Sequence, residues 1–410
     1  MIKERLLPFL RKKSWLFYVV LLFVLFDSIL FAGFVIISHT RSPMAYPELR
    51  DFNGSQSSFK DLAKYFTKLA EAKGAPYAFE VLKAASLPPD TDLHLLGHVV
   101  GDILYRQQGA EGIKVCTQDF RNACSHSIVV GLFTEKGEAA LEEIAAICWQ
   151  APGQSGAYTM CFHGLGHGIL SALGYDMPHA INVCEKTGKS ESSQCISGAV
   201  MEIIGGGFHD REIWEKQRKK YLSDKNPMSL CLSDFMPEEA RPMCFVYLTP
   251  HLFEAAGGNL AALGPQDFKK AFTFCDALPA GDSLDRKSCF GGFGKEFVVL
   301  AKNRDIRNID SMTREELGKV YDWCLLTPDQ KGAIDCINNA TQSLYWGGEN
   351  DRHVAIRFCD LMNKISHRSS CFQDLIGAVS FYIKDMDYRK EFCGELPPDF
   401  TKGCVMRLGV

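Results

Sequence analysis

The 16 cysteines are the feature of this 410-residue sequence that most constrains its fold. They fall into eight close pairs, with 8 to 14 positions between partners and 22 to 36 positions between successive pairs. The pairs are Cys116 and Cys124, Cys148 and Cys161, Cys184 and Cys195, Cys231 and Cys244, Cys275 and Cys289, Cys324 and Cys336, Cys359 and Cys371, and Cys393 and Cys404. An even number of cysteines in close pairs is typical of the disulfide framework of a protein outside the cytoplasm, so we predict a disulfide within each pair.

The residues around the cysteines predict helices. The first cysteine of a pair often ends an apolar run, as at 144–148, and the second often begins another, as at 371–379. Turn formers such as those at 327–332 lie between them. We therefore expect each disulfide to staple an α-hairpin across its own loop, at up to about 3 kcal/mol of stabilisation per bridge. The predicted fold class is all-α, a solenoid of stapled hairpins in which each repeat contacts its neighbours.

The repeated pattern resembles the disulfide-stapled Sel1-like repeats, which are relatives of tetratricopeptide repeats. The resemblance is carried by Ala-x-x-x-Cys, a short polar loop and Cys-x-x-x-small, as at Ala180–Cys184 and Cys195–Ala199, and it extends over most of residues 110–404. It implies right-handed stacking of α-hairpins and a binding role.

The amino-terminal segment predicts a membrane anchor. Residues 1–14 carry five basic residues and one acidic residue, and the 23-residue run from Trp15 to Ile37 contains a single charge, Asp27. At about 1.5 Å per residue this run is long enough to cross a hydrocarbon layer of about 30 Å. We predict a cytoplasmic basic tail at 1–14, a transmembrane signal anchor at 15–38, a linker at 39–58 and an extracytoplasmic α-helical repeat domain at 59–410. A cleaved signal peptide is the alternative.

The composition is that of a globular protein and gives no indication of a nucleic-acid partner. The formal net charge is −4 and 23% of the residues are charged. The basic cluster in segment 209–221 predicts an inserted helix with a solvated face.

Five of the 11 histidines share one register in three successive repeats. His126 lies two residues after Cys124, and His163 lies two residues after Cys161. His94 has the same position in the preceding unit, where an aspartate replaces the cysteine. The remaining two, His98 and His167, follow His94 and His163 by four residues.

This spacing predicts a metal site. Histidines four residues apart stand about 6 Å apart at Cβ on one helix face, and two imidazoles at that spacing can share a metal. Asp102, four residues after His98, adds a carboxylate to the helix face that carries His94 and His98. The predicted ligands are His94, His98, Asp102, His126, His163 and His167. Because imidazole binds zinc, copper and iron, the candidate cofactors are a zinc or copper ion, or haem.

A structural role for the histidines is the alternative. Helices pack about 10 Å apart, so a straight array would place the first and third histidine helices about 20 Å apart, and one metal would reach both pairs only in a tightly curved array. In that second interpretation the protein is an interaction scaffold for a protein or cell-envelope partner. Enzyme activity is left open, because no glutamate follows the first histidine as in zinc proteases, although Glu202 is a candidate base.

Overall fold

The structure is a computed structural model that describes residues 46–50, 52, 56–206, 211–279 and 283–410. The predicted tail at 1–14, the predicted anchor at 15–38 and most of the linker at 39–58 lie outside these residues and stay predictions. Within the described ranges, no helix has the length and apolar character needed to cross a membrane.

The chain divides into two compact units. The smaller one comprises Met1–Asn53 and Ala84–Ser86, and one 3-10 turn at Pro47–Leu49 lies in its described part. The larger one comprises Gly54–Lys83 and Leu87–Val410 and contains all eight cysteine pairs.

The all-α prediction is confirmed for the described residues, which form 18 α-helices and no strand. The helices are α1 (Phe59–Lys73), α2 (Ala75–Ala84), α3 (Leu93–Gln108), α4 (Asp119–Lys136), α5 (Leu141–Cys148), α6 (Gln154–Ala172), α7 (Met177–Glu185), α8 (Ser192–Gly205), α9 (Arg211–Tyr221), α10 (Arg241–Ala255), α11 (Pro265–Asp276), α12 (Leu284–Ala301), α13 (Arg314–Cys324), α14 (Gln330–Tyr345), α15 (Arg352–Asp360), α16 (Ile365–Tyr382), α17 (Met386–Glu395) and α18 (Pro398–Leu408).

Local sequence determines where several helices begin. The side chain of Asp92 accepts a hydrogen bond from the Leu95 N–H at the start of α3, and Asp329 caps α14 in the same way. Thr313 and Glu316 form a reciprocal capping box at the start of α13. Each cap satisfies a backbone N–H that has no partner within its own helix.

The eight predicted disulfides are confirmed. Every close pair is bonded, the Cα atoms of each pair lie 5.4 to 5.7 Å apart, and no cysteine is free. The prediction that the second cysteine begins its helix is wrong in detail. Cys161, for example, lies two turns inside α6, because the turn residues before it already continue the helix. The segment before Cys116 is a 3-10 helix, Gly109–Val115, instead of an α-helix.

The second helices of the first seven hairpins, preceded by α3, pack side by side in one row. The members of this row are α3, α4, α6, α8, α10, α12, α14 and α16. Glycines allow the close approach. A Cβ on Gly97 of α3 would lie 2.7 Å from the Cβ of Ala123 in α4, which is closer than carbon atoms can pack.

The row curves within the larger unit, so that its early helices meet segments far along the chain. Helix α6 contacts a 3-10 turn, Trp346–Gly348, that follows α14, and it also contacts α16. The backbone N–H of Arg121 in α4 donates to Oε1 of Glu349 at 3.1 Å. The curve leaves a cavity of about 760 Å³ on the inner side of the row.

The bridge between Cys184 and Cys195 should stabilise the fold mainly by restricting the unfolded chain. Replacing both cysteines by serine should lower the free energy of unfolding by about 3 kcal/mol, the loop-entropy value for this length. Denaturant unfolding monitored by circular dichroism measures the change.

The bridge between Cys393 and Cys404 provides a matched control, since both loops have a sequence separation of 11. The same double replacement there should cost a similar amount. An unchanged unfolding midpoint in both variants would contradict a stabilising role for the staples.

Candidate metal site

Five histidines meet at the cavity. His94 and His98 come from α3, His126 from α4, and His163 and His167 from α6, and all five line the cavity. The ring centres of His94 and His167 lie 6.1 Å apart. A straight array would place α3 and α6 about 20 Å apart. The rings nevertheless meet, because the row is curved and the side chains point toward one another.

The pair on α3 is fixed through its Nδ1 atoms. Nδ1 of His94 lies 2.7 Å from the carbonyl oxygen of Phe120, which can only accept, so this nitrogen carries the hydrogen. Nδ1 of His98 lies 3.2 Å from Oγ of Ser127, and that hydroxyl donates its own hydrogen to the carbonyl oxygen of His98. In their neutral form both rings therefore have the nitrogen without hydrogen at Nε2.

The pair on α6 repeats this arrangement. Nδ1 of His163 donates to Oγ of Ser197 at 2.8 Å, while the Ser197 hydroxyl donates to the carbonyl oxygen of Gln194. Nδ1 of His167 donates to Oε2 of Glu202 at 3.0 Å. The bare nitrogens are again the two Nε2 atoms.

The bare nitrogens face each other at short distances. Nε2 of His94 lies 3.2 Å from Nε2 of His98, and Nε2 of His163 lies 3.3 Å from Nε2 of His167. Two lone pairs at this separation repel unless a proton or a cation lies between them. In a tetrahedral zinc site with bonds of 2.0 to 2.1 Å, neighbouring ligand nitrogens are about 3.3 Å apart.

His126 lies between the two pairs and has no polar partner. Its side chain is 0% exposed, and neither Nδ1 nor Nε2 has a hydrogen-bond partner among the described residues. Helix α6 approaches it closely at Gly164, where an added Cβ would lie 2.6 Å from the Cα of His126. One nitrogen from each of His94, His126 and His167 forms a group whose members all lie within 4.8 Å of one another.

Burial favours the uncharged form of His94, His126 and His163. It is the main cause that lowers the pKa of His94 to about 4, and the neighbouring His167 lowers it further. Burial followed by nearby histidines also lowers the pKa values of His126 and His163 well below the usual range. Neutral imidazole is the form that binds metals.

Glu202 on α8 holds His167 in place. Its carboxylate accepts from Nδ1 of His167 at 3.0 Å and from the hydroxyl of Tyr175 at 3.1 Å, and the residue is buried. A carboxylate that accepts from the far nitrogen of a histidine is the usual support for a metal ligand. The sequence pattern marked Glu202 only as a candidate base.

The predicted ligand Asp102 lies outside the lining of the cavity, and its role as a ligand stays a prediction. It lies on α3, the helix of His94 and His98. Successive steps of four residues rotate by about 40° around a helix, so the third residue in the series lies about 80° around the helix from the first.

Sequence reasoning missed several other residues at the cavity. The ring of Tyr247 on α10 stacks on His163 with the ring centres 4.9 Å apart, and Nζ of Lys295 lies 4.8 Å from the centre of the Tyr247 ring. Lys295 also pairs with Glu296 at 2.6 Å. These side chains come from later repeats, and only the curvature of the row brings them to the histidines.

A strained backbone segment provides the hydrogen-bond acceptor for His94. Phe120, Arg121 and Asn122 have φ values of 57°, 58° and 63°, in the left-handed region that costs non-glycine residues about 1–2 kcal/mol each. This conformation directs the Phe120 carbonyl toward His94. The Arg121 guanidinium donates to the Ser343 carbonyl oxygen and lies 3.9 Å from the centre of the Trp346 ring, so contacts with the end of α14 offset part of the strain.

Fold and site together define an all-helical, disulfide-stapled repeat protein with a histidine-lined cavity. No family model, curated protein or solved structure matches the chain. The resemblance to Sel1-like repeats therefore stays a prediction based on the cysteine pattern.

Replacing Gly164 by alanine should damage the site and the fold, because the new Cβ would collide with backbone and ring atoms of His126. We expect a loss of about 1–3 kcal/mol in the free energy of unfolding, as for other overpacked cores. Denaturant unfolding of the purified chain measures it.

The matched control is Gly318→Ala in α13, where an added Cβ meets nothing within 4 Å. That variant should gain up to about 1 kcal/mol, because alanine favours a helix more than glycine does. Equal effects at both positions would contradict the close approach of α6 to His126.

The stability of the protein should depend on the protonation of Glu349. Burial raises its pKa to about 7, although Arg121 lies 3.9 Å away and acts in the opposite direction. The folded state then binds this proton more tightly than the unfolded state does, where the pKa is about 4.5. The contribution to stability is therefore present below about pH 4.5 and is lost as the pH rises through about 7.

Glu349→Gln should remove this part of the pH dependence, so that the unfolding free energy of the variant falls less than that of the original protein between pH 5 and pH 8. Glu238→Gln, whose parent side chain is 86% exposed, is the control and should keep the original profile. Identical profiles for all three proteins would show that Glu349 does not titrate in this range.

Proposed function

We propose that the protein binds a divalent transition metal, zinc or copper, through Nε2 atoms of the histidines in its amino-terminal repeats. The observation that carries this proposal is the pair of Nε2···Nε2 distances, 3.2 and 3.3 Å. The ligand set is His94, His98, His126, His163 and His167.

A metal accounts for these contacts better than a proton does. A shared proton would require one imidazolium in each pair, and a charged ring is costly to bury. A metal uses both lone pairs in their uncharged form and adds bonds that offset the burial of the nitrogens. The hydrogen bonds at the four Nδ1 atoms orient the rings for this role.

The arrangement favours a metal ion over haem. Haem iron takes two axial ligands from opposite faces of a flat macrocycle. Here the paired rings contact each other through their nitrogens at 3.2 and 3.3 Å, which leaves no space for a macrocycle between them. Imidazole nitrogen binds both metals, and because copper(II) binds such sites more tightly than zinc, the choice between the two depends on the supply of metal.

The scaffold interpretation accounts for only part of the site. Packing and hydrogen bonding explain the Nδ1 contacts of His94, His98, His163 and His167. They leave both nitrogens of His126 buried and unpaired, at a cost of about 1–3 kcal/mol for each unsatisfied polar group. A protein or cell-envelope partner stays a prediction.

The cavity has room for a small molecule beside the proposed metal. Its volume of about 760 Å³ falls within the range of small-molecule sites, and its walls include the apolar side chains of Met160, Met201, Trp214 and Trp346. A ligand of small-molecule size could thus reach a metal bound at the histidines.

The eight disulfides support the proposed location outside the cytoplasm. All 16 cysteines are paired, and such frameworks persist in oxidising compartments. We therefore propose that residues 15–38 anchor the chain and that the helical repeats lie on the extracytoplasmic side of the membrane.

Metal analysis of the full-length chain, purified in detergent, tests the function. After incubation with zinc and removal of the excess, the protein should retain at least one equivalent by elemental analysis. His94→Ala combined with His167→Ala should abolish most of this binding, because it removes one ligand from each pair.

The matched control replaces two exposed histidines outside the cavity, His179 and His353, by alanine. This variant should bind as much zinc as the original protein, and circular dichroism should show the same helix content for all three. A protein that retains neither zinc nor, in the same assay, copper, or equal metal in both double variants, would rule out the proposed site.

A further inference from the structure

The position of His126 separates the cluster into two halves. Its ring centre lies 5.3 and 5.6 Å from those of His94 and His98, and 5.7 and 5.9 Å from those of His163 and His167. Two imidazoles bound to one tetrahedral ion have ring centres about 5 Å apart. His126 is therefore close enough to share an ion with either pair.

The two pairs are further from each other than the members of each pair are. Ring centres lie 4.7 Å apart within the α3 pair and 5.0 Å apart within the α6 pair. The centres of His94 and His98 each lie 6.1 Å from that of His167. This difference is expected when each pair has its own ion.

His126 is the one histidine of the five with two unpaired ring nitrogens. In the other four, Nδ1 is committed to a carbonyl, hydroxyl or carboxylate oxygen. A single ion bound to one nitrogen of His126 would leave the other nitrogen buried without a partner. Two ions, one on each nitrogen, satisfy both.

The repeat pattern agrees with this division. On α3 and α6 a second histidine follows the first by four residues, whereas on α4 the corresponding residue is Val130. The middle repeat thus supplies one ligand residue, and the repeats on either side supply two each.

We propose that the site holds two divalent metal ions bridged by His126. One ion binds His94, His98 and one nitrogen of His126, and the other binds His163, His167 and the second nitrogen. Binding of the second ion displaces the remaining N–H proton of His126, which leaves through the cavity to solvent, and the ring becomes a bridging imidazolate. A single ion bound by His94, His126 and His167 is the competing arrangement.

This inference rests on the proposed function, and copper(II) is a probe that tests the two separately. Because the chain has no free thiol that would reduce the ion, copper(II) can be added to the full-length protein in detergent. Elemental analysis gives the copper bound per chain, and electron paramagnetic resonance gives the fraction that is magnetically isolated.

We expect saturation at two equivalents, with a resonance signal per copper that falls to less than half of its value at one equivalent. The fall is expected because a bridging imidazolate couples the two unpaired electrons antiparallel. His126→Gln should restore the full signal for every copper that remains bound. His94→Ala combined with His98→Ala should bind one equivalent with full intensity, and His179→Ala should behave like the original protein.

Three outcomes would overturn the bridge. Saturation at one equivalent would favour the single-ion site and leave the proposed function intact. Two equivalents with full intensity would indicate separate ions without a bridge. A protein that binds neither copper nor zinc would overturn the proposed function as well.

Discussion

Each hairpin is held at the point where its two helices meet by a disulfide whose Cα atoms lie 5.4 to 5.7 Å apart. At this distance the second helix cannot slide by a turn, about 5.4 Å, without stretching the bridge beyond its allowed geometry. The register of the inner row is therefore the same from one repeat to the next. It places His126, His163 and Ser197 at equivalent positions, and the last of these accepts a hydrogen bond from the second. The histidine cluster depends on the staples through this register.

Local patterns predicted the helices, the disulfides and the register of the histidines, because these depend on residues that are near in sequence. The curvature of the row could not be predicted in the same way. It results from small rotations between repeats and from contacts such as that of Arg121 with Glu349, which are separated by 228 positions. A straight array would place the two helices about 20 Å apart, whereas curvature and side-chain direction together bring the ring centres of His94 and His167 to 6.1 Å. Tyr247 and Lys295 could not be predicted from the sequence either, because only the curvature of the row brings them to the histidines.

The contrast between Asp102 and Glu202 shows how far spacing alone can be used. Asp102 continues a series of four-residue steps on α3, but each step adds about 40° of rotation, and the third member is not among the residues that line the cavity. Glu202 breaks the register by one residue, yet this offset turns it toward α6, where it supports His167 from behind. A supporting residue must approach its histidine from the side opposite the metal, so it is not expected in the register of the ligands.

The proposed metal site uses nitrogen ligands because its sulfur atoms are taken up by the disulfides. Because all 16 cysteines are bonded to each other, the chain has no thiolate to offer a metal. Neutral imidazoles bring no charge, whereas Glu202, which accepts a hydrogen bond from His167, brings one negative charge. Two divalent ions with one carboxylate and one imidazolate would keep a positive excess in a buried place, which is costly. Hydroxide or another anion from the cavity would balance that excess at the metal face that the histidines leave open.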